Sequence, residues 1–109
     1  MRALVIAMIL SGATSPALAQ TMITSTINGV RTGWNSDSFA IMTIEPVVNP
    51  ANCSIPDGYI SEKSLPGYNT YYAAALTAMT APSPTIVVTI HNSQCLSGRP
   101  VIIGVNLMR

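Results

Sequence analysis

Charge is what this chain has least of. Lys and Arg total five and Asp and Glu four in 109 residues. Arg2 falls in an apolar N-terminal run, and the others are Arg31, Asp37, Glu45, Asp57, Glu62, Lys63, Arg99 and Arg109. A chain this neutral has no basic stripe with which to hold phosphates, so nucleic-acid binding has no electrostatic support. There is one His, one Trp, one Phe and two Cys. With no C-x-x-C pair, and His91 the only other soft ligand, a metal centre or a redox dithiol lacks its ligands. Catalysis fares no better. The sequence contains no glycine-rich phosphate loop and no adjacent pair of carboxylates, and its serines have no evident base, so acid, base and nucleophile are all unprovided for. The reading is of a protein that is not an enzyme and needs no cofactor. Beyond the N-terminus no apolar stretch reaches the ~20 residues that a membrane helix requires, so no membrane span is expected.

The first residues, MRALVIAMILSGATSPALAQ, carry the three parts of a secretory signal. Arg2 supplies the positive region and Ala3 to Leu10 the apolar core, and Ala17-Leu18-Ala19 supplies the small-x-small pattern that precedes cleavage. Residues 1–19 are therefore read as a signal peptide and residues 20–109 as one small domain, secreted or periplasmic, with Gln20 as its first residue. An oxidising compartment makes a disulfide between Cys53 and Cys95 the expected state of the only two Cys. Closing a loop of that length stabilises a fold by roughly 4 kcal/mol in the chain-entropy model.

Periodicity then lays out the elements. Residues 23–34 alternate, with Ile23, Ser25 and Ile27 on one face. Asn28-Gly29 shifts the alternation by one and passes it to Val30, Thr32 and Trp34, the pattern of a strand with a bulge at Gly29. After the turn residues Asn35-Ser36-Asp37, a second strand over 38–45 is apolar on both faces and so should be central, or meet another surface. Pro46 and Pro50 end it, and NPANCSIPDGY reads as a loop held by the disulfide. An Ala-rich helix follows, with Asn69 as its N-cap, a core-facing stripe of Tyr68, Tyr72, Ala75, Leu76 and Met79, and Pro82 and Pro84 as its stop. No charge occurs from Tyr68 to Ala81, and the far face bears Thr70, Ala73, Ala74, Thr77 and Thr80. Such a face suits a helix packed against a second surface, and with the low charge it points to a homo-oligomer. Ile86, Val88 and Ile90, then Val101, Ile103, Val105 and Leu107, form a strand hairpin about a polar turn, N-S-Q-C-L-S-G-R, with His91 ending its first strand.

The order of these elements, with a Cys ahead of the helix YYAAALTAMTA, then TIVVTI, a second Cys and the closing VIIGVNL, resembles the B subunits of pentameric bacterial toxins of the subtilase-cytotoxin and pertussis-like kind. Small secreted bacterial proteins of unassigned role share the pattern. The resemblance covers most of residues 20–109 and rests on element order and Cys placement. It implies a mainly β fold with one α-helix, a small OB-type β-barrel capped by the helix, assembled as a pentamer that binds host glycans, often sialylated ones, beside a catalytic A subunit. It also implies a site in WNSD, where Trp stands for the family's Tyr, with Ser36 on the sugar and Trp34 and Asp37 beside it; Asn35 lies between them. From the residues alone Trp34 has two readings. It is either a stacking platform for a sugar or a ring folded over the rim of the core. The alternative for the whole chain is a small periplasmic structural or interaction protein that binds no glycan.

Overall fold

The computed structural model describes residues 19–33, 36–82 and 84–108. The proposed signal peptide, apart from Ala19, lies outside the described residues, as do Trp34 and Asn35. The chain forms β1 (Gln20–Thr32), β2 (Ser38–Thr43), β3 (Tyr59–Glu62), the helix α1 (Tyr68–Thr80), β4 (Thr85–Leu96) and β5 (Arg99–Leu107). The sheet is mainly antiparallel and closes into a ring in the order β1-β2-β3-β5-β4. Only β3 and β5 run parallel, meeting at Ile60 and Val101.

The first strand closes the ring because it serves two neighbours in succession. Residues Gln20 to Thr26 pair with β4, and Ile27 to Thr32 pair with β2. The handover occurs where the register slips between Ile27 and Gly29, the bulge foreseen from Asn28-Gly29. Glu45 binds the strand just ahead of the slip, at Thr26. Its carboxylate accepts the Thr26 backbone N–H at 2.7 Å and the Thr26 hydroxyl at 2.8 Å, and these bonds, the backbone one first, hold Glu45 below the usual carboxylate range.

Inside the ring lie Ile27, Phe39, Ile41, Tyr59, Ile86, Val88, Ile90 and Ile102, all buried. Phe39 packs tilted against Tyr68 and Tyr72 of α1, with ring centroids 5.6 and 5.2 Å apart. The Tyr59 phenol is pushed up in pKa by burial and accepts the Val48 N–H at 2.9 Å, which draws the segment after β2 against the ring. The second strand is central, between β1 and β3, as its two apolar faces suggested. The face opposite the interior is buried too, at Ala40, Ile60 and Val101. Residues 54–58 run close to it. A side chain on Gly58 would meet Ala40 and Met42, and the Ile55 N–H bonds the Gly98 carbonyl at 2.8 Å.

The disulfide joins Cys53 to Cys95 across 42 residues of sequence, fastening the segment between β2 and β3 to the far end of β4. Arg99 makes a second tie in the same place. Only 7% exposed, it donates from Nε to Asp57 Oδ1 at 2.6 Å, from one terminal nitrogen to Asp57 Oδ2 at 3.1 Å, and from the other to the Ser97 carbonyl at 2.7 Å. Arg31 stands 3.4 Å from the same carboxylate.

Four expectations need correction. Residues 59–62 form β3, inside a stretch whose Pro and Gly suggested loop alone. The hairpin turn is not the eight-residue N-S-Q-C-L-S-G-R. It is Ser97-Gly98, with φ of 51° and 81°, two left-handed residues that match the twist of paired strands. His91 is therefore inside β4, and its Nδ1 takes the Ser93 N–H at 3.1 Å. The helix is capped by Gly67 at φ 82° with no side-chain cap, so Asn69 lies within its first turn. Its buried stripe is rotated relative to expectation. Ala75 and Ala78 are buried and the rings of Tyr68, Tyr71 and Tyr72 lie against the core, whereas Leu76 and Met79 are 43% and 40% exposed. Small side chains let the helix backbone approach the ring closely, and that close approach displaces the larger Leu and Met to the flank.

Candidate functional site

Ser36 and Asp37 stand in the turn between β1 and β2, and both are exposed. Two bonds set the base of this turn. The Gly33 N–H bonds the Ser38 carbonyl at 3.0 Å, and the Ser38 hydroxyl donates back to the Gly33 carbonyl at 2.5 Å. β2 and β3 pair with Ser38 opposite Glu62, so the turn comes to rest beside the residues that leave β3. There the Lys63 N–H bonds the Asp37 carbonyl at 2.9 Å, and the Lys63 ammonium lies 3.6 Å from the Asp37 carboxylate. The Ser64 hydroxyl donates to Glu62 at 2.8 Å.

Between the two segments is an open cavity of about 360 Å³ lined, among the described residues, by Ser36, Asp37, Glu62, Lys63 and Ser64. Tyr68 lies near enough that burial first, and then the Asp37 carboxylate and Tyr72, raise its phenol above the usual range and keep it protonated. The cavity thus combines two hydroxyls, two carboxylates and one ammonium on a frame held by backbone bonds. That equipment donates and accepts hydrogen bonds in several directions. Among the described residues no group of three His, Cys, Asp or Glu able to hold a metal occurs.

Of the four residues expected to form a site, the structure brings Ser36 and Asp37 to this cavity, while Trp34 and Asn35 lie outside the described residues. The partners that sequence reasoning missed are Glu62, Lys63 and Ser64. One signal for them existed. Glu62-Lys63 is the only adjacent pair of charges in a chain that has few, and it follows a short apolar segment, YIS.

A second cavity of about 330 Å³ lies under the start of the helix, lined by Leu65, Pro66, Tyr71, Gln94, Val101, Ile102 and Ile103. Its lining is mostly apolar, with Gln94 the polar exception, and the Tyr71 hydroxyl donates to the Ile103 carbonyl at 2.9 Å. Among the described residues no helix is long and apolar enough to cross a membrane.

No family model matches the chain, and comparison with curated proteins and with solved structures finds no significant match to either.

Proposed function

We propose that this chain is an exported carbohydrate-recognition module, an OB-type barrel of the toxin B-subunit kind, and that its ligand is a host glycan bound at the cavity between the β1–β2 turn and the end of β3. The observation that carries the reading is the meeting of Ser36 and Asp37 with Glu62, Lys63 and Ser64 around that cavity. Sugars are recognised by such sets, in which hydroxyls and carboxylates satisfy the ring hydroxyls while an aromatic face takes the C–H side. Trp34 is two residues from Ser36 in sequence and supplies the aromatic partner in this reading. The OB assignment is supported by the ring order β1-β2-β3-β5-β4, the parallel β3–β5 contact and the helix between β3 and β4. In that architecture the loop after the first strand is a usual place for oligosaccharides.

One such site binds weakly, and several copies on one face raise avidity, so the reading includes assembly with copies of itself, in a ring of five beside a catalytic A subunit if the toxin likeness holds. The helix supports assembly. Its outer side carries exposed Leu76 and Met79 among Thr70, Ala73, Thr77 and Thr80, with no charge. The same surface favours the second reading, an exported interaction protein that recognises another protein and no glycan.

A glycan array probed with the mature protein decides between them. Binding that is lost in Trp34→Ala and in Ser36→Ala supports the first reading. A blank array, or binding that survives both changes, leaves the second. Light scattering should give a mass above that of one chain, reduced to a folded monomer by Thr77→Glu, whose site is exposed. A monomer at high micromolar concentration removes the assembly part.

A further inference from the structure

We infer that the cavity at the β1–β2 turn selects uncharged saccharides over those bearing a carboxylate or sulfate. This rests on the carbohydrate reading above and narrows it to a ligand class. The lining groups decide it. Two carboxylates, Asp37 and Glu62, face a single ammonium, Lys63. That ammonium is already matched, 3.6 Å from Asp37, so the charge left over in the cavity is that of Glu62. An anion entering would have to draw Lys63 away from Asp37, and would then sit beside two carboxylates for one cation. Among the described residues the other cations, Arg31 and Arg99, both meet Asp57.

A neutral polyol meets no such penalty. Its hydroxyls donate to the carboxylates, bonds that are shorter and stronger than those between neutral groups, while Lys63 and Ser36 donate to its oxygens and the Ser64 oxygen, whose hydrogen goes to Glu62, accepts. Glu62 receives one bond from Ser64 and keeps further acceptor positions for a vicinal pair of hydroxyls. The frame costs little to organise, since the Lys63 N–H to Asp37 carbonyl bond already fixes the turn against the end of β3. Water tempers the selectivity. The side chains of Lys63 and Asp37 are 74% and 70% exposed, so repulsion of an anion is screened and must depend on salt.

The test compares N-acetyllactosamine with its sialylated counterpart by calorimetry on the mature protein, with an array of neutral and acidic glycans as the survey. The neutral member should bind about tenfold tighter at low ionic strength, and the gap should narrow as salt rises, because only the anion's term is screened. Glu62→Gln should narrow the gap and Lys63→Gln should widen it, with melting curves confirming that both variants fold. Equal or tighter binding of acidic glycans across the array and in the matched pair overturns the inference and leaves the carbohydrate reading standing. An array blank for every glycan overturns both. A neutral preference that ignores salt and both substitutions places the selectivity elsewhere and also overturns the inference.

Discussion

Replacing Asp57 by Asn tests how the loop between β2 and β3 is held, because it keeps the side chain's volume and removes its charge from a buried guanidinium. Arg99 is 7% exposed and donates two hydrogen bonds to Asp57, at 2.6 and 3.1 Å. Breaking a fully buried pair from one side costs ~3–5 kcal/mol. Here the Asp57 side chain is 42% exposed, so solvent already screens part of the interaction and about 2 kcal/mol is the reasonable expectation. In urea that is a midpoint lower by about 1–2 M with little change in slope. Arg31→Gln is the control. It meets the same carboxylate at 3.4 Å with both side chains more than 40% exposed, and should cost no more than about 0.5 kcal/mol. The pH dependence follows from the same geometry. The Arg99 hydrogen bonds chiefly, opposed by partial burial and aided by the charges of Arg99 and Arg31, hold the Asp57 carboxyl below its usual 3.8. A carboxyl depressed in the folded state contributes its stability above the unfolded value and loses it as pH falls through the folded one. Wild type should therefore exceed Asp57→Asn by the full margin at pH 5–7, and the margin should begin to shrink only below about pH 4, as pH falls toward the lowered folded value. Equal costs for Asp57→Asn and Arg31→Gln, or a margin unchanged in acid, would refute the reasoning.

The disulfide should act through the unfolded chain. Cys53 and Cys95 close 42 residues, so Cys53→Ala with Cys95→Ser, or reduction of the wild type, should lower stability by roughly 4 kcal/mol. Because the Asp57–Arg99 and Ile55–Gly98 bonds hold the same segment, circular dichroism of the native state should not change; free thiols in protein prepared without reductant would contradict the premise. Gly67→Ala should cost about 1–3 kcal/mol in thermal or urea unfolding, because φ is 82° and the new Cβ would collide with the Tyr71 ring. An unchanged melting temperature there would mean that the helix start differs from the one described.

How much of this fold could be read from the residues depended on length. The bulged β1, the two-faced β2 and the strand pair TIVVTI and VIIGVNL each carry enough alternation to be recognised, and each is present. β3 has four residues next to Pro56 and Gly58, too few for periodicity to outweigh two loop formers. The polar run Asn92-Ser93-Gln94 hid the last third of β4, which rejoins β5 at Cys95 opposite Pro100 after an irregular stretch. The helix was legible in its extent and not in its orientation. Hydrophobicity favours Leu76 and Met79 for the core, but the ring accepts Ala75 and Ala78, since the distance of approach decided the contact and a sequence pattern does not encode distance.

The candidate site divides along the same line. Ser36 and Asp37 were named through the likeness of WNSD to the toxin family's segment, and their place in a turn was legible because turn chemistry is local. Glu62, Lys63 and Ser64 were not, because their proximity requires β3 to exist and to pair with β2 in the register that sets Ser38 against Glu62. The placement of charge then gives the cavity its significance. Among the described residues the charges fall into two groups. Asp57 takes Arg31 and Arg99 to fasten the outer segment, while Glu45 stands apart from both groups and bonds Thr26 of β1. Asp37, Glu62 and Lys63 form the second group, gathered from two segments around one open cavity. Their ion pair is more than two-thirds exposed, the kind that contributes ~0–1 kcal/mol to stability. A chain that uses charge so sparingly has placed three there for little structural gain. Recognition of a polar ligand is the use that such a placement fits, and the excess of carboxylate over ammonium is what would make that ligand an uncharged one.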